Sequence, residues 1–127
     1  MIGLPTVPGH RVVAGAASLD RIEWPDGALV LRLARDEVLI LTELHELVVS
    51  DEHAIVEQEA GQSGRNLSAT EFEQLVRPHI DWPIPTARPA LAQGLVAGVP
   101  CKLWFADQGV LLLCLTAHVH ELAERLG

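Results

Sequence analysis

The segment "KLWFADQGVLLLCL", from Lys102 to Leu115, constrains the fold more than any other part of the chain. It is typical of a β-hairpin, because two apolar runs flank a polar turn that ends in a glycine, Ala106 to Gly109. Successive side chains of a strand point to opposite faces, and here apolar residues occupy both faces. Since an antiparallel sheet with one solvated face carries polar residues at alternate positions, the second face must be covered. The N-terminal part of the chain or another chain would provide that cover.

The alternation defines which face needs the cover. Leu103 and Phe105 share one face of the first strand, and Trp104 occupies the other. We predict that the second face is an interface with another copy of the chain or with a larger subunit. It is formed by Trp104, Leu111, Leu113 and Leu115.

The same turn bears on the two cysteines. Gly109 suits a type I turn followed by a left-handed bulge residue, which pairs Ala106 with Val110. On that register the sulfurs of Cys101 and Cys114 lie on opposite faces, whereas a two-residue turn would place the two residues directly opposite each other. We therefore predict two reduced, buried thiols, as is usual for cysteines of a cytosolic domain.

The chain as a whole, residues 1–127, is predicted to form a single domain of typical size. Residues 1–18 carry prolines and glycines and are predicted to be an extended arm or a loop. Three strand-like runs separated by "PDG" and "RD" predict a three-stranded meander over 19–41. The acidic stretch 42–52 fits either a short helix or a loop, and 53–127 is predicted to form a β-α-β-β-β-α unit.

Two helices stand out in that unit. Ser68 followed three residues later by Glu71 is a capping box, and Pro78 marks the end of the helix that follows. Thr116 is the predicted cap of the second helix, and Gly127 ends it. The predicted fold class is therefore α+β, with a mostly antiparallel sheet and two principal helices. It combines a ferredoxin-like half-domain with the N-terminal meander.

Charge and hydropathy argue against several classes of partner. The formal net charge is −8, Lys102 is the only lysine, and no cluster of basic residues is present to neutralise phosphates. We therefore expect no nucleic-acid partner and no anionic membrane surface. The longest apolar run, Val110 to Leu115, has six residues, whereas a spanning helix needs about 20. Because the first ten residues also lack a signal pattern, we expect a cytoplasmic protein.

The sequence contains only incomplete motifs for metal or anion binding. His45-Glu46 and His120-Glu121 each begin an H-E-x-x-H pattern, but Val49 and Glu124 stand where the second histidine belongs, so no metal site is predicted. "GQSGRN", 61–66, precedes a helix start and contains an arginine, which suits either an anion site or a flexible connector.

Arg65 and His53 are accordingly the candidate cofactor-binding residues, although we predict no cofactor. No catalytic residue is identified, and we expect the chain not to be catalytic on its own.

The segments "LSATEFEQLV", "GLVAGVPCKLWFADQGVLLLCL" and "TAHVHELAERL" resemble a half-domain of the folate-binding aminomethyltransferase family. That family includes the glycine-cleavage T-protein and the small gamma subunit of heterotetrameric sarcosine oxidase. The resemblance covers about residues 53–127, and the chain departs from it where Leu67-Ser68-Ala69-Thr70 replaces the family's Gly-Pro-Asp-Ala helix start.

The chain is too short for a complete transferase, so the resemblance favours the gamma subunit and carries over no catalytic residue. It implies a non-catalytic accessory or oligomerising subunit that packs against a larger flavoprotein. The alternative is a stand-alone protein or small enzyme that binds a folate-like or anionic small molecule.

Overall fold

The chain forms two units, each with its own four-stranded antiparallel sheet, in a computed structural model that describes residues 1–41 and 47–127. Val7–Ala60 form the N-terminal unit, and Gly61–Gly127 form the C-terminal unit together with Met1–Thr6. Because short helices accompany the sheets, the predicted α+β class is confirmed. The single domain over residues 1–127 stays a prediction.

The elements of the N-terminal unit are β1 Gly9–Val13, α1 Ala16–Asp20, β2 Val30–Ala34, β3 Glu37–Ile40 and β4 Ile55–Glu59. The strands form a sheet in the order β2-β3-β1-β4, with every described pair antiparallel. Its small core includes Val12, Leu19 and Ile40, all buried. Residues 42–46 of the stretch that fits either a helix or a loop lie outside the described residues.

Two predictions for this unit are wrong. Residues 1–18 are not an extended arm, because Gly9–Val13 form a central strand that pairs with both β3 and β4. The meander over 19–41 contains the predicted hairpin of β2 and β3, but its first strand is replaced by α1. Long-range contacts decide this, since Leu19 is buried in the core and the Gly15 N–H at the helix start binds a side chain of the 50–53 loop.

The elements of the C-terminal unit are β5 Gln62–Leu67, α2 Ala69–Glu71, β6 Ala90–Val96, β7 Val99–Ala106, β8 Gly109–Leu115 and α3 Val119–Leu126. The strands form a sheet in the order β5-β8-β7-β6, and two helical segments accompany it. The first segment continues from an α-helical turn through a π turn, Phe72–Val76, and a 3-10 turn, Arg77–His79. The second follows a 3-10 turn, Thr116–His118. The predicted cap at Thr116 is wrong, because its hydroxyl is hydrogen-bonded to the Ser63 hydroxyl and His118 is the N-cap residue.

The predicted capping box is confirmed. The Ser68 hydroxyl accepts a hydrogen bond from the Glu71 N–H at 3.1 Å, and the Glu71 carboxylate accepts one from the Ser68 N–H at 3.0 Å. Phe72 and Val76 then join the core, where the Phe72 ring meets Phe105 edge-on with ring centroids 5.5 Å apart. The helical segments thereby cover one face of β7 and β8.

The first strand of this unit is not the predicted one. Residues 55–59 pair with β1 in the N-terminal sheet, and "GQSGRN" is not a connector, because Gln62–Leu67 form β5 beside β8. Polar composition obscured β5 in the sequence. Gly64 explains the close pairing, since a Cβ there would lie 2.0 Å from the Leu112 carbonyl oxygen.

The predicted hairpin register is also wrong, although the predicted thiol state agrees with the structure. Ala106 pairs with Gly109 across a two-residue turn, so Cys101 lies directly opposite Cys114. Gly109 has a φ of 147°, outside the left-handed helical region that a bulge requires. A glycine is needed here for another reason. A Cβ at position 109 would lie 2.8 Å from the Leu67 carbonyl oxygen, which is too close. Both cysteines are free and buried.

Candidate functional site

The face of the C-terminal sheet opposite its helices carries the predicted interface residues in three cross-strand rows. Trp104 pairs with Leu91 and Leu111, which places all three side chains in the first row. Lys102 pairs with Gln93 and Leu113 in the second row. Paired residues of antiparallel strands share a face, so the rows lie side by side on one surface.

The third row lies at the end of the sheet and is the most exposed. Leu95 pairs with Pro100, and Leu115 pairs with Gln62. Pro100 and Leu115 lie one step beyond the pair formed by the two cysteines, so they are neighbours as well. Leu95 is 52% exposed and Leu115 is 44% exposed, and Pro100 is exposed too. We call Leu95, Pro100 and Leu115 the apolar end row.

The four residues predicted as an interface therefore differ in exposure. Leu113 is fully buried and Leu111 is 7% exposed in the single chain, whereas Trp104 is half-buried and Leu115 is exposed. Buried side chains are not available to a partner, so the predicted interface narrows to Trp104 and Leu115. The interface role itself stays a prediction.

Sequence reasoning missed Leu95 and Pro100, because their position beside Leu115 depends on the register between β6 and β7. That register is set by a two-residue turn at Ala97 and Gly98, with φ values of 51° and 80°. Positive φ at both central residues is the mark of a type I′ hairpin turn. The dipeptide "AG" after an apolar run was the available signal, but alanine rarely takes this conformation.

Gln62 completes the end row at its other edge. Its side chain is 5% exposed, and its carbonyl oxygen Oε1 has no hydrogen-bond partner within the part of the chain that the structure describes. A buried polar atom without a partner is unfavourable and rare, and it calls for an explanation. The neighbouring Ser63 hydroxyl, by contrast, is paired with the Thr116 hydroxyl at 2.8 Å.

The candidate cofactor-binding residues lie in different units. Arg65 on β5 forms an ion pair with Glu71 at 3.3 Å, close to the capping box. This contact and a hydrogen bond from the Ser68 N–H lower the pKa of Glu71, the backbone bond being the larger cause. His53 is exposed and lies 3.4 Å from Glu52. Both candidates thus have carboxylate neighbours, and their role in binding a cofactor stays a prediction.

The two thiols are poor nucleophiles. Burial raises the pKa of Cys101 to about 12, and the neighbouring Cys114 adds to the shift. Burial also raises the pKa of Cys114. Since the thiolate is the reactive form, both side chains are protonated and unreactive at neutral pH. They act as small apolar residues of the core.

The N-terminal unit contains a cleft of about 390 Å³ where β1 begins and β4 ends. His10, Leu41 and Glu59 lie among its lining residues. This volume is in the range of small-molecule pockets. Arg11, the residue after His10, is not among the lining residues and forms ion pairs with Glu37 and, at 3.1 Å, with Glu57.

The described residues contain neither a cluster of metal ligands nor a helix that could span a membrane. Within residues 1–41 and 47–127, no group of three or more His, Cys, Asp or Glu side chains has the geometry to hold a metal ion. Across the same residues, no helix has the length and apolar character needed to cross a membrane.

Comparison with known proteins finds a solved structure with a similar fold. No protein-family model matches the sequence, and no curated protein matches it. Among solved structures, the heterotetrameric sarcosine oxidase from Corynebacterium sp. U-96, in complex with pyrrole 2-carboxylate, contains a similar chain. The match has a TM-score of 0.69 at 14% identity and covers 97% of this chain and 79% of that chain. This chain has the fold of a sarcosine oxidase subunit.

The resemblance predicted from residues 53–127 is thereby confirmed at the level of the fold. It also extends further than predicted, because the match includes nearly all of the N-terminal unit. The two coverage values show that the sarcosine oxidase chain is only somewhat longer than this one. At 14% identity the likeness concerns the fold and assigns no residue a role.

Proposed function

We propose that this chain is a non-catalytic accessory subunit of a sarcosine oxidase-like flavoprotein complex, equivalent to the small gamma subunit. The observation that carries the proposal is the reciprocal coverage of the structural match, 97% of this chain and 79% of a chain from a heterotetrameric enzyme. A short subunit of similar length is the natural counterpart of a 127-residue chain. In this proposal the protein works in the cytoplasm.

The surface of the C-terminal unit supports an assembly role. Leu95 and Leu115 expose about half of their side chains beside each other at the end of a sheet. Exposed apolar side chains that are contiguous mark protein contacts more often than scattered ones do. The half-buried Trp104 lies on the same face, and tryptophan is enriched at the centres of interfaces.

The competing function is a stand-alone small-molecule binding protein or small enzyme. The cleft near His10 and Glu59 favours it, because its volume of about 390 Å³ suits a small ligand. We rank it second, since the fold match concerns a subunit of a larger assembly.

Co-expression with the larger, flavin-binding subunits of a sarcosine oxidase-like enzyme from the same organism tests the proposal. We expect the chain to elute with those subunits in gel filtration, with a mass by light scattering that fits one copy per complex and with flavin absorbance in the same peak. Flavin absorbance at about 450 nm would be absent from the isolated chain.

A monomeric chain that stays separate from those subunits would contradict the proposal. In that case, a thermal shift with folate or with another anionic small molecule would favour the stand-alone binding protein. The control for substitutions at exposed apolar residues of the C-terminal unit is Ile55→Ser on β4. Ile55 is 49% exposed and lies in the N-terminal unit.

A further inference from the structure

We infer that the cleft in the N-terminal unit is a binding site for a small organic cation, an ammonium ion with an apolar body and no carboxylate. The cleft has a volume of about 390 Å³, which suits a small molecule. Such a site goes beyond the subunit role, because a chain that packs against a flavoprotein needs no ligand of its own. Binding is therefore measured on the full chain without other subunits.

One side of the cleft is apolar. Four of the described lining residues are apolar, namely Val7, Pro8, Leu41 and Ala60. Val7 and Leu41 are half-buried, and Leu41 lies against the backbone of Gly9, where an added Cβ would be 3.1 Å from the Leu41 Cδ2 atom. An apolar ligand body in contact with these side chains removes further apolar surface from water, which favours binding.

The other side of the cleft is polar and carries one carboxylate. The register of β1 and β4 pairs Gly9 with Glu59 and His10 with Gln58, so these residues lie together where β1 begins and β4 ends. Among the described residues that line the cleft, Glu59 is the only acidic one, and none is a lysine or an arginine.

Glu59 is suited to bind an ammonium ion. Its side chain is half-buried, and an ion pair is stronger where water is partly excluded than on an open surface. A carboxylate offers about four lone-pair sites, so it can accept a hydrogen bond from a ligand while it keeps a contact within the chain. The cleft thus combines an apolar wall with a single negative group.

The charge of the unit that holds the cleft also selects a cation. Residues Val7–Ala60 include eleven acidic residues and four arginines, a net charge of −7 with neutral histidines. Arg11 is the nearest basic residue along the chain, and its guanidinium is held by Glu37 and Glu57. This field attracts cations and repels anions. The cleft is therefore unsuited to folate or to any ligand that carries a carboxylate.

Three probes of nearly the same shape and different charge test the site, namely benzylammonium, benzyl alcohol and benzoate. Each is titrated into the isotope-labelled chain and followed by amide chemical shifts. Benzylammonium should bind saturably and about tenfold more tightly than benzyl alcohol, because it adds a charge-assisted hydrogen bond. Benzoate should bind most weakly. The largest shifts should come from the amides of His10, Leu41 and Ala60.

Two variants separate binding in the cleft from general attraction to an acidic unit. Glu59→Gln should weaken benzylammonium binding about fivefold and leave benzyl alcohol binding unchanged. Glu52→Gln is the matched control, because Glu52 lies in the same unit, has an 87% exposed side chain and does not line the cleft. It removes the same charge and should bind benzylammonium like the wild type, since salt screens distant exposed charges.

Equal losses in Glu59→Gln and Glu52→Gln would overturn the site, because they would assign the attraction to the charge of the whole unit. Benzoate or benzyl alcohol binding as tightly as benzylammonium would also overturn it, as would shifts that do not saturate or that lie outside the cleft. These probe comparisons use the wild-type chain and do not depend on the folding of a variant. Any of these failures would leave the subunit role intact, since assembly is measured separately with the larger subunits.

Discussion

The strands of the C-terminal sheet have six to eight residues, whereas those of the N-terminal sheet have four or five. Among described residues, the main cluster of buried side chains has sixteen members in the C-terminal unit and five in the N-terminal unit. The N-terminal unit also has ion pairs that join neighbouring strands of its sheet. Arg11 bridges Glu37 and Glu57, and Asp51 accepts two backbone N–H groups.

The difference teaches that two sheets of equal strand number are stabilised by different forces. Burial of apolar surface dominates in the C-terminal unit, and it responds little to pH or salt. Exposed ion pairs contribute little individually and are weakened by salt. The N-terminal unit should therefore open more readily, and amide hydrogen exchange should resolve the two units.

The largest expected effect comes from a cavity in the C-terminal core. Leu112→Ala removes most of a fully buried side chain from the centre of β8 and should lower the free energy of unfolding by about 3–5 kcal/mol. Leu19→Ala in the N-terminal unit should cost closer to about 2 kcal/mol, since the short helix α1 can shift to fill the space. Urea denaturation of both variants checks the comparison, with exposed Leu95→Ala as control.

Equal losses for Leu112→Ala and Leu19→Ala would contradict the proposed difference between the two cores. A larger loss for Leu19→Ala would reverse it. Hydrogen exchange should show which unit each substitution destabilises, because the affected amides exchange faster.

The next effect concerns one glycine in each sheet. A Cβ at Gly64 would lie 2.0 Å from the Leu112 carbonyl oxygen, and one at Gly9 would lie 2.6 Å from the Ile40 carbonyl oxygen. Both Gly64→Ala and Gly9→Ala should separate paired strands and lower the free energy of unfolding by about 1–3 kcal/mol. The loss should be larger for Gly64→Ala, where the contact is closer. Thermal unfolding followed by circular dichroism measures both. A Gly64→Ala variant as stable as the wild type would show that the β5–β8 pairing adapts easily.

These glycines also show what the sequence could and could not predict. The capping box of Ser68 and Glu71 was readable because its signal spans only four residues. The sequence did not predict β5, because the need for a glycine at position 64 is evident only when β8 is known to pair with that strand. The same holds for β1, a strand whose partners β3 and β4 lie far along the chain.

The residues of the candidate site also differ in whether the sequence alone could predict them. Trp104 and Leu115 were predicted from alternation within a single hairpin, which is local information. Leu95 and Pro100 depend on the register of a second hairpin, and Gln62 on the pairing of β5 with β8. Periodicity reveals which face a residue takes but leaves open which strand lies beside it. It also leaves open whether a face is already buried, as it is at Leu113.

Acid should act on both units through one carboxylate in each. Hydrogen bonds from the Gly15 and His53 N–H groups lower the pKa of Asp51, and the Ser68 N–H lowers that of Glu71. A lowered pKa in the folded state means stability that is present above the unfolded pKa of about 4 and is lost as pH falls through the folded value. The wild type should therefore lose stability from about pH 5 downward.

Asp51→Asn should flatten this pH dependence for amides of the N-terminal unit, and Glu71→Gln should flatten it for those of the C-terminal unit. Both variants should be less stable than the wild type at pH 7, by less than the cavity variants. Urea denaturation at pH 7 and pH 3, combined with hydrogen exchange, tests each claim. A pH dependence unchanged in both variants would assign acid sensitivity to other groups.

The smallest expected effect is a gain in stability. It comes from the turn between β6 and β7, which sets the register of the apolar end row. Ala97 has a φ of 51°, a left-handed conformation that costs an alanine about 1 kcal/mol. Asn-Gly is the preferred pair for a type I′ turn, so Ala97→Asn should raise the free energy of unfolding by about 0.5–1 kcal/mol. The Arg125 guanidinium donates to the Ala97 carbonyl oxygen at 2.6 Å, a backbone contact that the substitution keeps. A loss of stability in Ala97→Asn would mean that β6 and β7 are joined by a different turn, and the alignment of Leu95 with Pro100 would fail with it.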